Sequence, residues 1–416
     1  MDQSIASAAT SNSTIDPITK PPQSVINDNS NAVTEDEAAL YDRQIRLWGL
    51  EAQNRLRTSH ILIVGWNGVA TEIIKNTVLS GIGSITILDP SVIDGEIDLV
   101  SGFFFRHGEV GQLKCSQAPL DRVRSLNPLV KVEGVFNLEL YETLLIGDDR
   151  AIAWLKEKKV DVLVAGTPFA LSSSNRIITT SCQDVVQRLN QTTRGAGVKF
   201  FLSATYGFGG FYFSDQVIHD YLIERTLPST TNQGEIETRR VKQRQIFIPI
   251  SECLAYTWKN LTQRQQKRIG IPVDWFIWLA FTDLITNSSS LNQDGENSFR
   301  NQNDLFINSH LTSNALKDRT FELIREKGLE PKMIFGTQVD EKEIENIFQT
   351  RLGQGGFGIT LAPVASVLGG MLSQDILNAI SGREEPVVNW LFLHADASGS
   401  ASVHRIGNIQ SAIVVD

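Results

Sequence analysis

Cysteine is scarce in this sequence: Cys115, Cys182 and Cys253 are the only three, and no two stand close enough for a CxxC pair. An odd, widely spaced trio excludes a disulfide framework and a cysteine-based zinc site, and it points to a reducing compartment. A long hydrophobic run is also missing. The most apolar stretch, Trp275 to Phe281, is seven residues, where a membrane span takes about 20. The amino terminus, Met1-Asp2-Gln3-Ser4, carries neither a basic region nor an apolar one, so no secretory signal is expected. Basic residues are outnumbered, 38 Lys and Arg against 47 Asp and Glu, for a net charge of -9. That balance argues against a dedicated nucleic-acid binder, whose affinity comes mainly from cations set against phosphates. Together these absences predict a soluble intracellular protein with no membrane and no nucleic-acid partner.

What remains is ample for folding. Hydrophobic residues make up 41% of the 416 and charged residues 20%, far from the disordered class. Residues 1–33 are the exception: they are rich in Ser, Thr, Asn and Pro, and no aromatic residue precedes Tyr41. Such a segment cannot bury enough surface to offset its ordering entropy, which predicts a disordered tail. Thr34-Glu35-Asp36-Glu37 then has the form of a capping box. After it Tyr41, Ile45, Trp48 and Ala52 recur at helical spacing as a buried stripe, with Arg43 and Arg46 off it.

From residue 60 strand and helix patterns alternate. His60–Val64 is a continuous apolar run of the kind buried on both faces of a parallel sheet. Further strands are expected at Ser84–Asp89, around Val130–Val135, at Val160–Ala165 and at Lys199–Ala204. This order predicts an α/β doubly wound, Rossmann-like domain. From about Asp215 to Gln349 the pattern changes to helical runs, such as Ile250–Leu261 and Asp274–Leu284, with an Asn-rich loop over 286–314. The α/β character returns with a small-residue helix from Ile359 to Ser381 and a strand Asn389–His394. The expected organisation is therefore a tail (1–33), an α/β domain in two parts (34–215 and 351–416), and a mostly helical insertion (216–350).

A strand that runs into a glycine turn and then a helix presents backbone N–H groups to phosphate. Here the turn is Gly65-Trp66-Asn67-Gly68-Val69-Ala70, with Asn67 and Ala70 where second and third glycines would stand. Asp89 ends the next strand, at the place of a ribose-binding acid, and Lys114 follows. Read from the residues, the turn is either a working cradle or an inherited structural turn, and the substitutions favour the latter.

Tyr41-Asp-Arg-Gln-Ile-Arg-Leu-Trp-Gly-Leu-Glu-Ala-Gln53 followed by that turn resembles the adenylation domains of ubiquitin-type activating enzymes (the E1 family). Gly81–Asp89, Val110–Lys114, Leu126-Asn-Pro128 and Pro363–Asp375 continue the likeness, which covers roughly 35–215 and 355–405 and is poor between them. In that family two homologous halves pair and one binds ATP productively. The chain is most similar to the smaller subunits, those that lack the thioester cysteine. The active half carries an intact glycine loop, an Asn/Arg/Gln segment and a magnesium-binding Asp. Here the loop reads Asp98-Leu-Val-Ser-Gly-Phe-Phe-Phe105, and Gly166-Thr167 stand where the metal-binding acid belongs.

The resemblance thus implies an inactive half, with Gly65, Gly68, Asp89 and Lys114 as a degenerate nucleotide site and no metal ligand of its own. It implies ATP and magnesium held mainly by a larger thioester-forming partner in a heterodimer, SUMO as the modifier, and a nuclear as well as cytoplasmic setting. It also implies that Arg43 reaches across the interface to the partner's ATP. For an arbitrary helical arginine, pairing with Glu37 or Asp42 is the simpler role. Arg106 and His107 read as part of a loop anchored by Phe103–Phe105, and Arg239–Arg244 as a solvated basic face or a nuclear address. Alternatives within and beyond the family are a regulatory subunit for the modifier NEDD8, a self-sufficient bacterial-type adenylyltransferase, an NAD-dependent oxidoreductase, and a scaffold with no catalytic residue.

Overall fold

In a computed structural model, residues 35–166, 182–228, 236–266, 270–291, 312–336, 340–353, 360–394 and 400–415 are described. The tail 1–33, Thr34, Thr167 and most of the Asn-rich stretch lie outside them.

Eleven strands are described: β1 (His60–Val64), β2 (Ser84–Leu88), β3 (Lys131–Val135), β4 (Val162–Ala165), β5 (Lys199–Tyr206), β6 (Gly209–Asp215), β7 (Ile218–Pro228), β8 (Ile236–Ile246), β9 (Asn389–His394), β10 (Ser400–His404) and β11 (Ile413–Val414). Eight of them form one sheet in the order β10-β9-β6-β5-β4-β1-β2-β3. Strands β3, β2, β1, β4 and β5 are parallel, in register His60 to Ser84 and Ile61 to Val162, while the pairings β5–β6, β6–β9 and β9–β10 are antiparallel. The parallel strands bury both faces, which is why His60–Val64 and Val162–Ala165 are apolar without alternation.

Helices cover both faces. On one face Gly68–Leu79, Gln117–Arg124 and Ala362–Ser381 share a core built on Ile61, Ile63, Ile73, Val123 and Leu372. On the other, Leu138–Ile146, Asp149–Glu157, Cys182–Ala196 and Val273–Leu291 close over Leu62, Leu163, Phe200, Phe211 and Trp278. The small residues of Ala362–Ser381 allow a close approach: a Cβ on Gly369 would stand 2.6 Å from the Glu72 Cβ and 3.2 Å from the Val69 carbonyl oxygen. The expected doubly wound α/β fold is what the sheet order and the two helical layers show.

Three expectations about the later segment need correction. The stretch after Asp215 opens with a long antiparallel hairpin, β7 paired to β8 from Ile218–Ile246 to Pro228–Ile236, with β11 on the far side of β8. Its buried face is mostly polar (His219, Tyr221, Gln243, Gln245), so no apolar alternation announced it. The Asn-rich stretch is also not loop throughout, because helices Val273–Leu291 and Ser313–Glu326 take up both of its ends. The run Ile250–Leu261 is helical only to Ala255.

Candidate functional site

In the strand order β3-β2-β1-β4-β5 the neighbours of β1 lie on opposite sides of it, and the crevice beyond its carboxyl end is where such folds take ligands. The glycine turn sits there. Gly65 has φ 87, a conformation that suits glycine, and Asn67 caps the following helix by accepting a hydrogen bond from the Ala70 N–H at 2.9 Å. Asn67 therefore serves a helix cap, where a phosphate-binding turn would present bare backbone.

The turn is roofed by the chain itself. The Trp66 side chain is fully buried, with its ring 5.0 Å from Phe105 and 6.0 Å from Phe104. Its indole N–H donates to Thr71 Oγ1 at 3.1 Å. A Cβ on Gly68 would lie 2.0 Å from Ser101 Oγ and 2.9 Å from Thr360 Cγ2, so these two residues occupy the space beside the helix's first turn. Thr360 is in turn held to β5 by a 2.8 Å bond to Thr205 Oγ1. The short helix Asp98–Ser101 and the aromatic residues after it thus fold down onto the turn.

Asp89 and Lys114 converge as expected, but on each other's surroundings and not on open space. Asp89 accepts from the Trp66 N–H at 2.6 Å and from the Ser91 N–H and hydroxyl at 2.8 and 2.5 Å. Lys114 is 2.8 Å from Asp98 and 3.9 Å from Asp89, and it donates to the Trp66 carbonyl at 3.2 Å. All three charged groups are buried. Burial raises the Asp98 carboxyl above its ordinary range although Lys114 opposes it. Burial pulls the Lys114 ammonium down, and the two carboxylates outweigh that pull, so it stays firmly charged. Asp98 was not a candidate from sequence; an acid opening a loop next to a degenerate turn was the available signal.

A nucleotide does not fit these residues. The N–H groups of Trp66 and Ala70 are engaged by Asp89 and Asn67, the lysine that would meet a phosphate points into a carboxylate pair, and the face of Gly68 is filled. Gly166, at the end of β4, packs against Asn67, with room for a Cβ only 2.8 Å from its side-chain nitrogen. Among the described residues no group of three His, Cys, Asp or Glu is placed to hold a metal ion.

Arg43 is exposed on the helix Asp42–Trp48. Both carboxylates that would have paired with it are engaged elsewhere: Asp42 with Arg46 at 3.0 Å, Glu37 with Arg57 at 3.1 Å. Apolar side chains surround it in sequence, with Leu40, Leu47 and Leu50 exposed by 61%, 81% and 52%. The expected continuous stripe is broken, since Gly49 (φ 87) separates Asp42–Trp48 from Leu50–Thr58; Tyr41 and Ala52 are buried, Ile45 and Trp48 half-buried.

The other basic candidates are structural. Arg106 donates to the Phe103 and Phe105 carbonyls at 2.5 and 2.9 Å, and Arg122 holds the Phe104 carbonyl at 2.8 Å. Arg239–Arg244 is the middle strand of a sheet, where Arg244 forks onto Asp220 at 2.6 and 2.8 Å and Arg240 meets Glu224. The three cysteines are far apart and free, and burial pushes the Cys115 and Cys253 thiols up to about 12. No described helix is long and apolar enough to cross a membrane.

A doubly wound sheet with a roofed glycine turn, entered from a Tyr-Asp-Arg-Gln helix, defines a class. The ThiF family matches residues 41–409, and the chain belongs to it. Within that class it is similar to SUMO-activating enzyme subunit 1 of Rattus norvegicus, 29% identical over 394 residues, covering 90% of this chain and 96% of that one. It is 27% identical over 394 residues to SUMO-activating enzyme subunit 1 of Homo sapiens, with the same coverage. It is also 27% identical to the DNA damage tolerance protein rad31 of Schizosaccharomyces pombe, over 91% of this chain and 99% of that protein.

Proposed function

We propose that this chain is the smaller, non-thioester subunit of a heterodimeric ATP-dependent enzyme that activates SUMO, and that it lends Arg43 to the nucleotide held by its larger partner. Several observations support the reading together. Two relatives that it matches over nearly their whole length carry the name SUMO-activating enzyme subunit 1. Its own cleft is filled by Trp66, Ser101, Thr360 and the Lys114 cluster. The observation that carries the proposal is Arg43 itself, exposed while both nearby acids are engaged by other arginines.

In the reaction, a carboxylate oxygen at the modifier's carboxyl terminus attacks the α-phosphorus of ATP. The bond from that phosphorus to the bridging oxygen breaks and pyrophosphate departs, leaving an acyl-adenylate. A thiolate of the partner subunit then displaces AMP to give the thioester. On this reading ATP and magnesium are bound mainly by the partner, with none held tightly by this chain. Negative charge builds on the phosphate oxygens and the leaving group during the first step. A fixed cation placed there lowers the barrier. Arginine suits the task because its planar fork donates two hydrogen bonds and stays charged. An arginine already committed to a carboxylate of its own chain would bring much less.

The chain works in the nucleus as well as the cytoplasm on this reading. The paired strand β8 is a poor nuclear address, because its backbone is committed to β7 and β11. Co-purification with candidate thioester subunits, followed by ATP–pyrophosphate exchange with SUMO or NEDD8, tests the proposal. Exchange only in the heterodimer and only with SUMO is the expected result. Exchange by this chain alone, or a response to NEDD8 in place of SUMO, contradicts it.

A further inference from the structure

The helix that carries Arg43 is seven residues long, and none of the seven is fully buried. A helix of that length has little stability of its own, so its placement depends on what holds its ends. At the carboxyl end Gly49 turns the chain and donates to the Ile45 carbonyl at 2.8 Å, with Trp48 packed on the core beside it. The amino end is fixed by Tyr41, which is only 5% exposed. The Tyr41 ring lies against Gly81, where a Cβ would come within 2.4 Å of it. Its hydroxyl accepts a hydrogen bond from Asn127 Nδ2 at 2.7 Å. That same amide donates to the Val78 carbonyl at 2.9 Å, in the last turn of the helix that begins at the glycine turn. Asn127 Oδ1 accepts from the Leu129 N–H at 3.2 Å, so the amide is committed at both ends.

We infer that Tyr41 and Asn127 are positioning residues for Arg43: the hydrogen bond between them sets where its helix starts and therefore where the guanidinium stands at the partner's nucleotide. The inference rests on the proposed trans role of Arg43. The mooring connects residues 86 positions apart and ends two residues before Arg43. Removing the hydroxyl alone leaves the ring packed on Gly81 and leaves Asn127 bonded to Val78, so the fold persists. What the helix loses is the bond that fixes its amino end. A misplacement of about 1 Å at a reacting group costs up to about 10²-fold in rate.

The test uses the full heterodimer, with ATP–pyrophosphate exchange and SUMO, and compares Tyr41→Phe in the wild-type and Arg43→Ala backgrounds. Asn127→Ala serves as a second variant reaching the same bond from the other side. The expected result is that Tyr41→Phe lowers kcat about tenfold, within the range that misplacement allows, with KM for ATP unchanged and the heterodimer intact. In the Arg43→Ala background the same change is expected to cost nothing further, since residues acting through one group are not additive. Full activity in Tyr41→Phe overturns the inference, as does an equal loss in both backgrounds, which would place the effect elsewhere. If Arg43→Ala slows exchange while Tyr41→Phe does not, the positioning role alone fails. If Arg43→Ala leaves exchange unchanged, the trans-arginine reading fails, and the positioning role with it.

Discussion

Replacing Lys114 by Met separates a structural lysine from a nucleotide-binding one. The side chains are of similar length, and the substitution removes one buried positive charge facing Asp98 at 2.8 Å and Asp89 at 3.9 Å. Two buried carboxylates then have no counter-charge. Breaking such a pair from one side costs about 3–5 kcal/mol, because the remaining charge keeps its desolvation penalty. The sign of the pH response follows from Asp98, whose folded-state pKa is already raised by burial while Lys114 holds it down. Without the lysine it rises further, so the folded variant binds more protons than the unfolded one above the ordinary carboxylate range. The variant is therefore expected to lose stability as pH rises from acid toward neutral, and to approach the parent again as pH falls. Urea unfolding at pH 5 and pH 8 measures this, with the larger deficit at pH 8. Adding Asp98→Asn to Lys114→Met should recover part of the loss. In the assembled heterodimer, exchange per folded complex should be unchanged. A stable variant with abolished exchange would mean that Lys114 touches nucleotide, and the account of a filled cleft would be wrong.

Other expectations follow from the same structure. Val217 has φ 61, a left-handed conformation that costs a branched residue about 1–2 kcal/mol, and it is held there by Asp215 Oδ1 and by the Phe247 N–H. Val217→Gly should accordingly raise the urea midpoint, and a drop would show that the side chain's packing outweighs the strain. Asp375 is buried with one oxygen unpartnered, and burial raises its pKa to about 7 from an ordinary 3.8. Its folded form holds a proton that the unfolded chain releases, so stability falls as pH climbs from about 4 to 7 by a few kcal/mol in order of magnitude. Asp375→Asn should flatten that slope, and an unchanged pH profile would show that the carboxyl is ionised in the fold. Cys115 and Cys253, pushed up to about 12 by burial, should resist iodoacetamide at pH 8 until the chain unfolds. Rapid native alkylation of either would contradict their burial.

The sheet was legible where burial is two-sided. His60–Val64 and Val162–Ala165 are apolar at nearly every position because parallel strands have no solvent face, and a run of that kind has few other uses. The hairpin β7–β8 was not legible for the opposite reason. One face carries Asp220, Glu224, Arg240, Lys242 and Arg244 paired across the strands, and the other buries His219, Gln243 and Gln245. Charge on one side and polar burial on the other leave no period-two apolar signal. At the turn, sequence brought out Gly65, Gly68, Asp89 and Lys114 and the loss of two glycines. It did not bring out the filling: Ser101 and Thr360 meet at Gly68 from positions 259 residues apart (360 − 101). The bond from Asn127 to Tyr41 likewise joins motifs that sequence shows only as separate words.

The central claim, that this chain contributes a cation to a neighbour's chemistry, is tested most directly by single-turnover adenylation in the heterodimer carrying Arg43→Ala. Removing one fixed donor from developing charge costs about 10²–10³-fold. The account predicts a loss of that size in the adenylation rate, with the two subunits still eluting together and thioester transfer from preformed adenylate unaffected. An adenylation rate equal to that of the parent complex would contradict it.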